Sequence, residues 1–194
     1  MHPLVTMRPA FAFRYLVAFA VMAIALALPC RAHAQDSSSN AAKARSLVDA
    51  AIKMSNSDEA VKLLWQATEI DPTLQDAYVY LGLYYNSRSD FANVVKVYQK
   101  LVKYEPNQTS AYLNIGEAYM SFSPPRTGDA LVYYRKAYEV DPKNTFAALR
   151  IGQILAQNGN HDDAIKFLRQ ALADTANSNV SSQAEKTLRD MNAL

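Results

Sequence analysis

The sequence predicts an all-α solenoid: four helix-turn-helix units stacked in register and closed by a C-terminal capping helix. Three observations carry this. An aliphatic–glycine pair recurs at Leu81-Gly82, Ile115-Gly116 and Ile151-Gly152. Acid–proline pairs recur at Asp71-Pro72, Glu105-Pro106 and Asp141-Pro142, with the prolines 34 and 36 residues apart. Polar breakers such as Ser87-Arg88-Ser89-Asp90 separate two apolar-periodic runs within a unit. A fixed period of this size means repeated supersecondary units rather than one closed core. A stack offers a long surface and no natural pocket for chemistry, so binding is the first expectation.

Residues 1–34 read as an export signal. Arg8 and Arg14 give a positive start, Tyr15 to Leu28 form an apolar run, and Ala32-His33-Ala34 supplies a small-x-small cleavage pattern. Fourteen residues make roughly 21 Å of helix, short of the ~30 Å hydrocarbon core, which favours a cleaved signal over an anchor. Cleavage after Ala34 predicts a periplasmic or secreted protein with no membrane insertion of its own. The signal also removes Cys30, the single cysteine, so the mature chain has no thiol chemistry. Of the 20 basic residues, Arg8, Arg14 and Arg31 leave with it, so 17 face 18 acidic ones. A net charge of about −1 gives no electrostatic reason to expect nucleic acid or an anionic membrane as partner.

Residues 35–40 read as a flexible polar leader. The units follow at 41–74, 75–108, 109–144 and 145–178. The first three end at an acid–proline pair, because proline cannot continue a helix and disfavours helix in the residue before it. The inter-helix turns fall at Asn56-Ser57-Asp58-Glu59, Ser87–Asp90, Ser123–Asp129 and Asn158–Asp163. The third turn holds two extra residues, which a surface loop absorbs at little entropic cost, and Thr127 or Asp129 is expected to cap the helix after it. In 179–194, Val180, Ala184, Leu188 and Met191 form one apolar stripe suited to covering the last unit. Ser182 and Glu185 have the spacing of a capping box.

The slots line up across units. The second reads Tyr78, Leu81, Gly82, Tyr85, then Val94, Tyr98, Leu101 and Pro106; the third reads Tyr112, Ile115, Gly116, Tyr119, then Ala130, Tyr134, Ala137 and Pro142. The fourth reads Ala148, Ile151, Gly152, Leu155, then Ala164, Leu168, Ala171 and Ala176. The first has Leu47, Val48 and Ala51, then Ala60, Leu64, Ala67 and Pro72. Together these resemble the tetratricopeptide repeat (TPR) family over 41–178, which implies a right-handed solenoid. Glycine without a Cβ lets the two helices of a unit approach, with Ala60, Ala130 and Ala164 small from the other side. Tyr78, Tyr85, Tyr98, Tyr112, Tyr119 and Tyr134 occupy packing slots. Tyr80, Tyr84, Tyr104, Tyr133 and Tyr138 lie outside the signature and are freer to face a partner. Trp65 is expected to pack between units.

The resemblance further implies a concave groove lined by the first helix of each unit, which takes a peptide or a partner's helix. Carried over, it places Arg45, Asp49 and Lys53 there, then Val79, Leu83 and Asn86, then Leu113, Glu117 and Met120, then Leu149, Gln153 and Gln157. Val79, Leu113 and Leu149 would form an apolar rung. The lysine–asparagine clamp that some family members use for a C-terminal carboxylate does not match: Asp49 follows Arg45, and Leu83 and Glu117 stand where amides are needed. A helical or extended peptide with apolar anchors fits better.

Catalysis finds little support. His161 is the single histidine beyond the signal, in a solvated turn beside Asp162 and Asp163, and a zinc site needs about four ligands. No nucleophile elbow, phosphate loop or dinucleotide fingerprint occurs. Asn107-Gln108-Thr109 and Asn179-Val180-Ser181 have glycan-acceptor spacing. The sequence thus points to an exported, non-catalytic, cofactor-free scaffold for a protein or peptide partner in an envelope or secretion assembly. Small-ligand binding (a lipid or an aromatic) and self-assembly into a homo-oligomer are the alternatives.

Overall fold

The computed structural model describes residues 38–54 and 57–194. The export signal, the first part of the leader and Asn56 lie outside the described residues. The described chain is helical and contains no strand: α1 (38–53), α2 (Asp58–Ile70), α3 (Gln75–Ser87), α4 (Phe91–Tyr104), α5 (Thr109–Met120), α6 (Thr127–Val140), α7 (Thr145–Gln157), α8 (His161–Leu172) and α9 (Ser178–Asp190). From α2 onward each helix packs against the next, and α9 touches both α7 and α8. First helices of units form one layer and second helices the other, with the core between them. Residues 38–40, expected in the leader, are already helical.

The acid–proline stops act through both residues. Asp71 N–H still donates to Ala67 O at 2.9 Å, and Pro72 then has no N–H to offer. The Asp71 carboxylate turns back to accept from Thr73 N at 3.0 Å, and the Asp141 carboxylate accepts from Lys143 N at 3.1 Å. Asp174 accepts from Ala176 N and Asn177 N, both at 3.0 Å, although no proline follows it. These are short aspartate turns that satisfy backbone donors where the helix cannot. Ser57, Asp90, Asn144 and Asn177 cap the helices that follow them through side-chain oxygens.

Two expected caps are corrected. Asn177, not Ser182, caps α9, accepting from Val180 N at 3.3 Å; Ser182 lies inside the helix. The cap position of α6 is Arg126, with no side-chain cap bond, and Thr127 is already helical. Asp129 instead pairs with the Arg126 guanidinium at 2.7 Å.

Gly116 and Gly152 are required by close approach. A Cβ on Gly116 would stand 2.5–2.8 Å from the Tyr134 ring, and one on Gly152 would stand 2.7 Å from Leu168 Cγ. Gly82 meets Tyr98 in the same way. Tyr78 and Tyr134 are fully buried, and Tyr98 and Tyr119 nearly so. Burial pushes the phenols of Tyr78, Tyr98 and Tyr134 above the ordinary tyrosine range.

Side-chain bonds join successive units. Trp65 Nε1 donates to Tyr85 Oη at 3.2 Å, Gln99 Nε2 to Tyr133 Oη at 2.8 Å, and Tyr138 Oη to Gln170 Oε1 at 2.7 Å. Tyr84, expected to be free, is buried: its hydroxyl donates to the Asp58 carboxylate and the Arg88 guanidinium lies 3.7 Å from its ring centre.

Candidate interaction face

Three clefts among the described residues are lined mainly by first helices and α9. An apolar one of about 440 Å³ lies between α1, α2 and α3, walled by Ile52, Val61, Leu64, Tyr80 and Leu83. Large apolar groups stand open around it: Leu83 is 59 % exposed, Ile52 45 % and Tyr80 38 %. Leu83 is shared with a smaller pocket of about 130 Å³, where it meets Asn86, Asn114 and Glu117. The third cleft, of about 760 Å³, is more polar than the first, with Met120, Ile154 and Met191 among its polar walls, and lies between α5, α7, the start of α8 and α9. Met120, Gln153 and Gln157 line it, and α9 adds Gln183 and Lys186.

An ion pair separates the last two clefts. Arg150 on α7 holds Glu117 on α5 with Nε and Nη2 each 2.7 Å from a different carboxylate oxygen, and its Nη1 donates to Gln153 Oε1 at 3.3 Å. Tyr134 Oη donates to the same carboxylate at 2.5 Å. Burial first, and this bond second, keep the Tyr134 phenol protonated far into the alkaline range. Glu117 therefore serves as an inter-unit joint as well as a wall of the small pocket.

The structure sorts the predicted groove residues. Leu83, Asn86 and Glu117 converge in one pocket, and Met120, Gln153 and Gln157 in another. Val79 is exposed one turn from Leu83. Arg45, Asp49 and Lys53 are exposed on α1 but line none of these clefts. Leu113 is half-buried against the core. Leu149 is a correction: it is fully buried and presents nothing to a groove, so the rung expected from Val79, Leu113 and Leu149 does not exist. Its slot has the same helical phase as Val79, but its neighbours in space enclose it.

Ile52 is not among the predicted groove residues, although repeat arithmetic reaches it: Ile52 plus 34 is Asn86, a predicted groove residue. α9 is more than the cover that its apolar stripe predicts. The apolar stripe Val180, Ala184 and Leu188 is indeed buried, while Gln183 and Lys186 face the polar cleft. His161 is exposed on the rim of that cleft.

Comparison with solved structures places the architecture. TTC0263, a thermophilic TPR protein of Thermus thermophilus, superposes with a TM-score of 0.56 at 20% identity, covering 77% of this chain and 84% of that one. The fold is a TPR solenoid. The tetratricopeptide repeat family model matches residues 126–190, from the start of α6 to the end of α9. The TPR protein YrrB, described as having an unusual peptide-binding site, is similar with a TM-score of 0.56 at 19% identity over 76% of this chain and 77% of that one. Mouse tetratricopeptide repeat protein 21B is 27% identical over 125 residues, which is 64% of this chain and 9% of that protein. The chain thus spans about a tenth of the length of this relative, and the likeness is one of TPR units.

Proposed function

We propose that this chain is an exported, non-catalytic TPR scaffold that binds a protein partner on the first-helix face, anchored in the apolar cleft between α1, α2 and α3. The observation that carries the reading is Leu83, 59 % exposed at the junction of two clefts and flanked by Ile52 and Tyr80. Three large apolar side chains held open around a concavity are the usual anchor of an apolar peptide or helix face. TPR folds generally serve protein–protein interaction, and the peptide site of the similar YrrB accords with that use. The apolar run Tyr15–Leu28 with Ala32-His33-Ala34 supports export to the periplasm or beyond, and an envelope or secretion assembly is the role proposed for a scaffold in that setting.

Affinity purification of the tagged full-length chain from native envelopes, followed by mass spectrometry, tests this. A stable protein partner is expected, lost on Leu83→Glu or Ile52→Glu with helicity unchanged. Normal partner recovery with both variants refutes the anchor.

A small apolar ligand is a second reading, favoured by one observation: about 440 Å³ is within the range of ligand pockets. Thermal-shift screening against lipids and aromatic acids separates the two, since a tight ligand without a protein partner supports the second.

A further inference from the structure

The polar cleft at the C-terminal end lies apart from the apolar anchor, and its walls have a different chemistry. Gln153 and Gln157 stand four residues apart on α7, and Gln183 faces them from α9. Each primary amide offers two donors and an acceptor, the complement of a peptide group's C=O and N–H. Gln183 Nε2 already donates to Asn179 Oδ1 at 3.1 Å, which orients that amide. Arg150 uses three of its five N–H donors on Glu117 and Gln153, leaving two for a ligand. Lys186 has no ion-pair partner among the described residues. The charge of Arg150 is balanced by Glu117 outside the lining, and Asp190 is the one carboxylate within the lining, so Lys186 carries the cationic character of the cleft.

We propose that this cleft binds an extended, acidic segment of the partner: the glutamines hold its main chain and Lys186, with the spare edge of Arg150, receives its carboxylates. α9 is then half of a binding site and not only a lid on the last unit. The inference rests on the reading of the first-helix face as partner-binding, and it adds an end-specific acidic subsite to the apolar anchor. Amides pair with main chain in any sequence, so the charge at Lys186 supplies the selectivity. An extended segment suits the cleft because its C=O and N–H groups are unpaired, whereas a helix has already used them.

Fluorescence anisotropy on the full chain tests the subsite, using a labelled, end-blocked peptide of alternating Glu and Ala and its Lys–Ala counterpart. The Glu–Ala probe is expected to bind saturably, to weaken as salt is raised, and to exceed the Lys–Ala probe. Lys186→Glu should weaken it more than about tenfold, because a charge-assisted hydrogen bond is exchanged for a repulsion. Gln157→Ala should weaken it severalfold, and Leu83→Glu should leave it unchanged. No binding of the Glu–Ala probe, equal binding of the Lys–Ala probe, or an unaltered affinity in Lys186→Glu overturns the proposal. A loss with Leu83→Glu matching that with Lys186→Glu also overturns it, by placing the probe in the apolar cleft. Failure of the apolar anchor shows separately, as partner recovery that survives Leu83→Glu.

Discussion

Glu117 and Arg150 are 33 residues apart in sequence and form a two-point ion pair that fastens the third unit to the fourth. The pair is partly exposed, with the Glu117 side chain at 39% and Arg150 at 27%, so its Coulomb energy is heavily screened. The larger stake is the hydroxyl of fully buried Tyr134, which donates to Glu117. Glu117→Ala should therefore cost about 1–3 kcal/mol by leaving that donor unpaired, and Glu117→Gln clearly less because it keeps an acceptor. Guanidinium unfolding of both variants checks this, and equal losses would contradict the role given to Tyr134.

Gly116→Ala should destabilise by roughly 1–3 kcal/mol, because the added methyl collides with the Tyr134 ring and the crossing must open. Gly128 is an internal control: a Cβ there meets nothing within 4 Å. Gly128→Ala should be neutral or stabilising by up to about 1 kcal/mol, from helix propensity alone. Thermal melts that rank the two the other way would reject the close-approach account.

Leu149→Ala should cost about 2–5 kcal/mol, as for other buried leucines. Leu83→Ala should change stability by less than about 0.5 kcal/mol, because its side chain is mostly in solvent. Differential scanning calorimetry separates a structural leucine from an interaction leucine on this basis. A large loss from Leu83→Ala would mean that Leu83 is part of the core.

Stability should fall steeply above about pH 10. The phenols of Tyr78, Tyr98 and Tyr134 are raised by burial, so the folded state keeps their protons after the unfolded chain begins to lose them near pH 10. Their stabilisation is complete below that pH and declines as pH rises, by about 1.4 kcal/mol per pH unit for each tyrosine. On the acid side, Asp174 is lowered by its bond from Thr145 and then by Asn177 N–H. Its contribution is present above the ordinary carboxylate range and is lost as pH falls through the lowered value. Denaturant midpoints should form a plateau near neutrality with both shoulders; a flat profile to pH 11 would contradict the buried-phenol assignment.

The stack was legible because its determinants are local and repeated. Gly116 beside Ile115, Pro142 after Asp141 and Tyr134 at its slot each act within one unit, so period and residue type reveal them. Of the contacts set by neighbouring units, Trp65 was legible, and it does bond Tyr85 of the next unit, but most others were not. Val79 and Leu149 share a slot, yet one is 44 % exposed and the other fully buried. Tyr84 lies off the signature and is buried by Asp58 and Arg88, which no spacing rule links to it. The joint of Glu117 with Arg150 has no local signal either, since it depends on how far one unit turns relative to the next. The apolar cleft was half legible: Leu83 came from the groove slot, while Ile52 sat unread at the slot of Asn86.

α9 buries Val180, Ala184 and Leu188 against the fourth unit and turns Gln183 and Lys186 toward the cleft. Removing this helix would expose that stripe and take away one wall of the cleft in the same step. One helix thus does two jobs at that end of the described stack: its apolar stripe closes the fourth unit, and its outward residues form a wall of the neighbouring cleft.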